Sequence, residues 1–211
     1  MNLRSSVVSS AIYFALAIPG FAVTISVGTP NTFGTGLTPS FGTLVNFDNL
    51  APLSAVSPTA YSSAGIASLV NGPASEPLLA LPNSTQSPPN YITTGASDSY
   101  AGNITLTFTN LTSQAGFGIS GDGMTPVTLT AYGASGNVLG SFTEIVPSTT
   151  YNAYYVLADT AFDIKSVSLT AAQNLAIDDV QFSVVPEPTT FALAAVSIAA
   201  LSLRRMRNRR A

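Results

Sequence analysis

The chain has 211 residues, no cysteine, histidine or tryptophan, and only 8% charged residues, against about a quarter in ordinary soluble domains. That composition excludes disulfide staples, thiolate chemistry and His- or Cys-based triads, and it removes the commonest transition-metal ligand. The net charge of −3 hides a body, Val23–Val185, in which Lys165 stands alone against nine acids; a body at −8 repels phosphate backbones and excludes nucleic acid as a partner.

The first segment, MNLRSSVVSSAIYFALAIPGFAVTIS, has the three parts of a secretory signal. Arg4 is the positive n-region and Val7–Ile18 the apolar h-region. Pro19-Gly20 breaks the helix, and Gly20 and Ala22 are small residues suited to the −3 and −1 positions. Cleavage is predicted between Ala22 and Val23, so residues 1–22 are a signal peptide handled by the Sec machinery and signal peptidase. A run of 12 apolar residues is too short to span a bilayer comfortably.

From residue 23 to 185 the pattern predicts one all-β domain, a jelly-roll-like β-sandwich. FGTLVNFDNL reads as an opening strand ending at Asp48. Pro52, Pro58, Pro73, Pro77, Pro82, Pro88 and Pro89 then crowd the chain up to Asn90, with Pro39 ahead of them. Proline excludes central strands there, and GPASEPLLALPNSTQSPPN reads as a long surface excursion. NITLTFTN alternates strictly, with Ile104, Leu106 and Phe108 on one face and Thr105, Thr107 and Thr109 on the other. PVTLTAYG repeats the device with Val127, Leu129 and Ala131 inward. NVLGSFTEI follows the hairpin-type loop GASG, with Gly140 as a bulge. NAYYVLA, KSVSLTA and AIDDVQFSV complete the series. Short alternating strands between Gly, Asn and Pro turns are the mark of a sandwich or barrel.

The body offers little chemistry. Lys165 is the sole lysine and reads as a solvated strand residue. A glycosidase needs two carboxylates across a cleft, and no aromatic groove with Trp frames such a pair, so the chain is read as a non-enzyme. Asp and carbonyl oxygens do suit Ca²⁺. Asp178-Asp179 opens the last strand, and by parity Asp178 shares the face of Val180 and Phe182, where a carboxylate requires a partner or a cation. Asp48, on a terminal strand that can lie beside it, makes Asp48 and Asp178 the candidate calcium pair. The competing reading is that Asp178 accepts backbone N–H bonds at a strand end. SGDGMTP around Asp122 is too short for a calcium loop and reads as a turn. Tyr151, Tyr154 and Tyr155 cluster in TTYNAYYVLAD; Tyr154 and Tyr155 point to opposite faces of a strand, at least one of them is core, and an exposed one can stack on sugar. Asn83, Asn103 and Asn110 begin N-x-[ST] triplets, which matter only in a eukaryotic secretory pathway.

The last segment is VVPEPTTFALAAVSIAALSLRRMRNRRA. Its apolar run, Phe191–Leu203, reaches about 20 Å as a helix, short of the roughly 30 Å hydrocarbon core. Length alone fits a core helix. Arg204, Arg205, Arg207, Arg209 and Arg210 instead form a stop-transfer block that stays cytoplasmic, and their stems lengthen the span by snorkelling. The reading is a single C-terminal transmembrane helix that leaves the body outside the inner membrane.

The order Pro186-Glu187-Pro188, short apolar helix, arginine block resembles the PEP-CTERM protein-sorting domain of Gram-negative bacteria, over residues 186–211. The same tail is sometimes labelled an ice-binding-protein C-terminal domain, a name that implies no ice binding. The resemblance implies recognition by an exosortase, cleavage near Pro186-Glu187-Pro188, transient anchoring in the inner membrane, and association with exopolysaccharide or biofilm matrix. Two prolines keep the triplet extended and unpaired, so a protease can hold it as a strand. VNFDNL, VTLTAYGASGNVLGSF and LAIDDVQF are similar to the jelly-roll-like passengers of this family. Those passengers often carry Asp after the Tyr of the middle motif; here Gly133 stands there, and no ligand is carried over to that position.

The sequence thus predicts an exported, non-catalytic surface or extracellular-matrix protein that needs no cofactor. The alternatives are a carbohydrate-binding module with a structural calcium at Asp48 and Asp178, and a glycan hydrolase.

Overall fold

The computed structural model describes residues 23–28, 41–72, 77–82, 89–95, 101–121, 126–146 and 153–184. The predicted signal segment 1–22, Tyr151, the turn predicted at Asp122 and the whole tail from Val185 lie outside them. Among the described residues no helix is long and apolar enough to cross a membrane.

Among the described residues lie eleven strands: β1 (Thr24–Gly28), β2 (Thr43–Val45), β3 (Ile66–Asn71), β4 (Leu79–Pro82), β5 (Asn90–Thr93), β6 (Gly102–Gly121), β7 (Pro126–Tyr132), β8 (Val138–Ile145), β9 (Ala153–Ala158), β10 (Ile164–Ala171) and β11 (Leu175–Val184). A single turn of 3₁₀ helix, Ser62–Ala64, precedes β3. Every pairing among the strands is antiparallel.

Strand β6, 20 residues long, belongs to two layers. Its first half pairs with β3 and β10, which leads on through β7 to β8. Its second half pairs with β9 on one side and β11 on the other. Along the free side of β11 lie β5, at Ala176 and Ile177, and then β2, at Val180–Phe182. The inward positions on β6 are Ile104, Leu106 and Phe108 in the first half and Ala115, Phe117 and Ile119 in the second, all fully buried. Period-2 alternation cannot connect 108 to 115; the chain changes phase between Thr109 and Ser113 as it passes from one layer to the other. Phe108 and Phe182 meet across the layers with ring centroids 5.0 Å apart, and the buried apolar side chains form one continuous core. The predicted all-β sandwich is the observed architecture.

Several boundaries differ from the sequence expectation. The opening strand ends at Val45, not Asp48, because Phe47 takes a left-handed backbone (φ 59°) and turns its ring into the core. The proline-rich excursion contains a strand: Leu78 and Ala80 are buried, and β4 pairs with β5 at the sheet margin. Pro82 closes that strand, where a missing N–H is tolerated. IASLVN was not predicted as a strand and is β3. The bulge expected at Gly140 is present; β8 slips against β7 past Leu139, so Ala131 faces Gly140 and Tyr132 faces Val138.

Candidate functional site

Asp178 and Asp179 lie on the second layer, where β11 is irregular. Asp178 pairs with Gly118 and Gln181 with Gly116, so β11 carries one residue more than β6 over this stretch. The surplus is absorbed by Asp179, whose φ of 47° places it in the left-handed region, sparsely populated for a residue with a side chain. The bulge also resets the alternation. Leu175 and Ile177 face inward before it, Val180 and Phe182 after it. Asp178 therefore does not share the face of Val180 and Phe182 as strict parity predicted.

Both acids of the bulge are buried, Asp178 fully and Asp179 to 1% exposure. Asp178 Oδ1 accepts the Asp179 backbone N–H at 2.8 Å. The competing sequence reading foresaw that type of bond, at a strand end rather than within a bulge. Just here β11 changes neighbour from β5 to β2, and the turn after β2 brings Asp48 to the same region. Asp48 Oδ2 accepts from Asn46 Nδ2 at 2.5 Å, and Oδ1 accepts from the Asn90 backbone N–H at 3.3 Å. Asn90 Nδ2 donates to the carbonyls of Asp48 and Leu50, while its Oδ1 is buried with no hydrogen-bond partner. Burial raises the Asp48 carboxyl, and the bonds from Asn90 and Asn46 oppose that rise.

Two tyrosines report the local field. Tyr61 donates to Asn49 Oδ1 at 2.6 Å and packs edge-on against Phe47. Burial, then the negative charges of Asp48 and Asp178, push its phenol up to about 12, so both carboxylates act on one group. Tyr154 donates to the Asp179 carbonyl at 3.0 Å, and burial together with Asp179 and Asp178 pushes its phenol upward. Its ring lies over Gly116, where a Cβ would stand 2.7 Å from the Tyr154 oxygen. Tyr154 and Tyr155 are both buried at 3% exposure, so neither is the exposed sugar platform that the sequence allowed.

Among the described residues no three His, Cys, Asp or Glu side chains stand where they could share a metal ion. A cation here would rest on two carboxylates and neutral oxygens, a hard-oxygen set of the kind calcium takes. Lys165 reaches the Thr109 carbonyl at 2.8 Å and is no part of this region. Sequence reasoning missed Asn46, Asn90 and Tyr61, and it saw Tyr154 only as a core or stacking residue; an isolated Asn or Tyr gives no spacing signal, and the strand pairings assemble them.

No sequence among curated proteins matches the chain. Among solved structures it is similar to the enzymatically active domain of tailspike protein 4 of bacteriophage CBA120 (13% identity, TM-score 0.37), over 79% of this chain and 20% of that one. The chain thus spans about a fifth of the tailspike domain's length. It is similar as well to a family 6 carbohydrate-binding module (10% identity, TM-score 0.38, 70% of this chain and 100% of that one). A third likeness is to a variant of a family 29 carbohydrate-binding module (10% identity, TM-score 0.32, 77% and 92%). The family model of the PEP-CTERM protein-sorting motif matches residues 184–208. Such a motif implies an exported protein processed by an exosortase. The chain carries a PEP-CTERM protein-sorting motif that begins at Val184, the residue on which β11 ends.

Proposed function

We propose that this is an exported, non-catalytic cell-surface or extracellular-matrix protein, held briefly in the inner membrane by its tail, released by an exosortase, and associated with exopolysaccharide. The observation that carries the reading is the junction. β11 ends at Val184 and the sorting motif starts there. Cutting near Pro186-Glu187-Pro188 falls beyond β11, so this strand, which pairs with β6, β5 and β2, stays intact. At the other end Val23 is already buried and β1 begins at Thr24, which fits a mature chain starting at Val23. The test is the mass of the mature protein from a host with and without exosortase: a shortened C-terminus only in its presence is expected, and an intact Ala211 in both overturns the reading.

A second reading is favoured by Asn90. The passenger holds a structural calcium on Asp48 and Asp178, with the buried Asn90 Oδ1 as a further oxygen. Melting with and without a chelator tests it; superimposable curves sink it. A glycan hydrolase remains the third reading, and it requires polysaccharide turnover that Asp178→Asn abolishes.

A further inference from the structure

The first layer has an outer face that the acidic bulge does not use. Along β10 the outward residues are Ser166, Ser168 and Thr170, while Val167 and Leu169 fill the core. Their neighbours on β6 are Thr107, Thr105 and Asn103, and on β7 Tyr132, Thr130 and Thr128. Three cross-strand rows result, about 6.8 Å apart along the strands and about 4.8 Å from strand to strand. Small hydroxyls occupy nearly every point of this grid. At the β8 side they pair with one another, Thr128 with Thr143 and Thr130 with Ser141, each at 2.9 Å. Across β6, β10 and the end of β7 the surface sinks into a groove of about 430 Å³ lined by Asn103, Thr105, Tyr132, Ser166, Ser168 and Thr170.

Two features make the groove more than a flat sheet. Gly72 forms part of its lining, and a Cβ there would overlap the Asn103 amide; the missing side chain lets Asn103 stand against the wall. Tyr132 is the aromatic residue of the lining and supplies one apolar surface beside the hydroxyls. Among the described residues no Asp, Glu, Lys or Arg lines the groove. An anion or cation would find no opposite charge among them, and a purely apolar ligand would strand the hydroxyls and amide without partners. The matching ligand is uncharged, rich in hydroxyls that both donate and accept, and carries C–H faces that rest on an aromatic ring.

We propose that this groove binds a neutral polysaccharide, with one sugar ring against Tyr132 and Ser166 and the following rings of the polymer on Ser168, Thr105 and Asn103. The groove lies in the opposite layer from Asp178, so binding does not depend on calcium. The choice of a polymer rests on the reading of an exported protein at a polysaccharide-rich surface; the groove's chemistry does not.

The test uses the full chain in detergent on an array of neutral polysaccharides (glucans, mannans, xylans) and polyuronates, with and without chelator. Binding to at least one neutral glycan, unchanged by chelator, is expected. Tyr132→Ala and the groove-filling Ser168→Phe should each weaken it about tenfold or more, the scale of losing a buried aromatic anchor, with the melting temperature retained. If a variant does not fold, amide chemical shifts of the wild-type chain decide: shifts at Thr105, Ser166 and Ser168 support the site, and shifts confined elsewhere overturn it. Binding only to polyuronates, binding to no glycan, self-association through this face in place of glycan binding, or binding undiminished in both folded variants each overturns the proposal. The C-terminal mass of the same preparation reports exosortase processing separately, so either reading can fail alone.

Discussion

Tyr154→Phe probes the bulge most cleanly. The substitution keeps the ring that covers Gly116 and removes one oxygen, the donor to the Asp179 carbonyl at 3.0 Å. That carbonyl belongs to a residue 1% exposed with φ 47°, and losing a donor to a buried acceptor costs about 1–3 kcal/mol. For a domain of this size each kcal/mol moves the melting temperature by about 2–4 °C, so a fall of about 4–8 °C is expected for a loss of about 2 kcal/mol. Gly116→Ala attacks the same contact from the other side. Its Cβ would lie 2.7, 2.8 and 3.0 Å from three Tyr154 atoms, and such overpacking costs about 1–3 kcal/mol. The nearest of the three is the oxygen that Phe lacks, so the double variant should lose less than the sum of the singles. Thermal melts followed by circular dichroism measure all four chains. A Tyr154→Phe melt within about 1 °C of wild type, or strictly additive losses, would refute the idea that this tyrosine holds the bulge.

Phe117→Ala should cost about 3–5 kcal/mol in denaturant unfolding, since Phe117 is fully buried where β6 faces the other layer. The turn after β9 is pH-sensitive. The hydrogen bond with Asp159, then burial, pushes Asp163 up to about 6 from 3.8; on Asp159, burial is outweighed by bonds from the Asp163 carboxyl and the Ala161 and Asp163 amides, which hold it below its ordinary value. Folded Asp163 keeps a proton that the unfolded chain releases above pH 3.8, so its stabilising effect is full below that pH and is lost as pH rises through about 6. Asp163→Asn should therefore raise the melting temperature at pH 7 relative to wild type and change it little at pH 4; the reverse pattern in the melts would contradict the pairing. On the calcium reading, chelator lowers the melting temperature of the wild-type chain and leaves Asp178→Asn unchanged, while equal chelator shifts in both exclude Asp178 as a ligand.

The strands most readable in the sequence are those whose two faces differ in chemistry. In β7, in β10 from Ser166 onward and in the first half of β6, apolar and hydroxyl residues alternate without a break, and the fold keeps that phase. The second half of β6 was not predicted because Gly116 and Gly118 look like turn residues; Gly116 is there to make room for Tyr154. β3 lacks a clean alternation, and β4 is hidden among prolines. The bulge was unreadable for a different reason. Parity assumes one residue per pleat, and an extra residue at Asp179 breaks it without any glycine to mark the place. Asp48 and Asp178 were legible as acids near the two ends of the body, but their shared neighbour Tyr61 and the anchor Asn90 depend on strand pairings that no local pattern encodes. The tail was the reverse case: three parts in fixed order name its handling, although they say nothing of the ligand.

The central claim is that the tail is a signal to be removed just beyond β11. Its most direct test is intact-mass analysis of the protein recovered from an exosortase-bearing host. The account predicts a chain starting at Val23 and ending within or beside Pro186-Glu187-Pro188; a recovered protein whose C-terminus is Ala211 would contradict it.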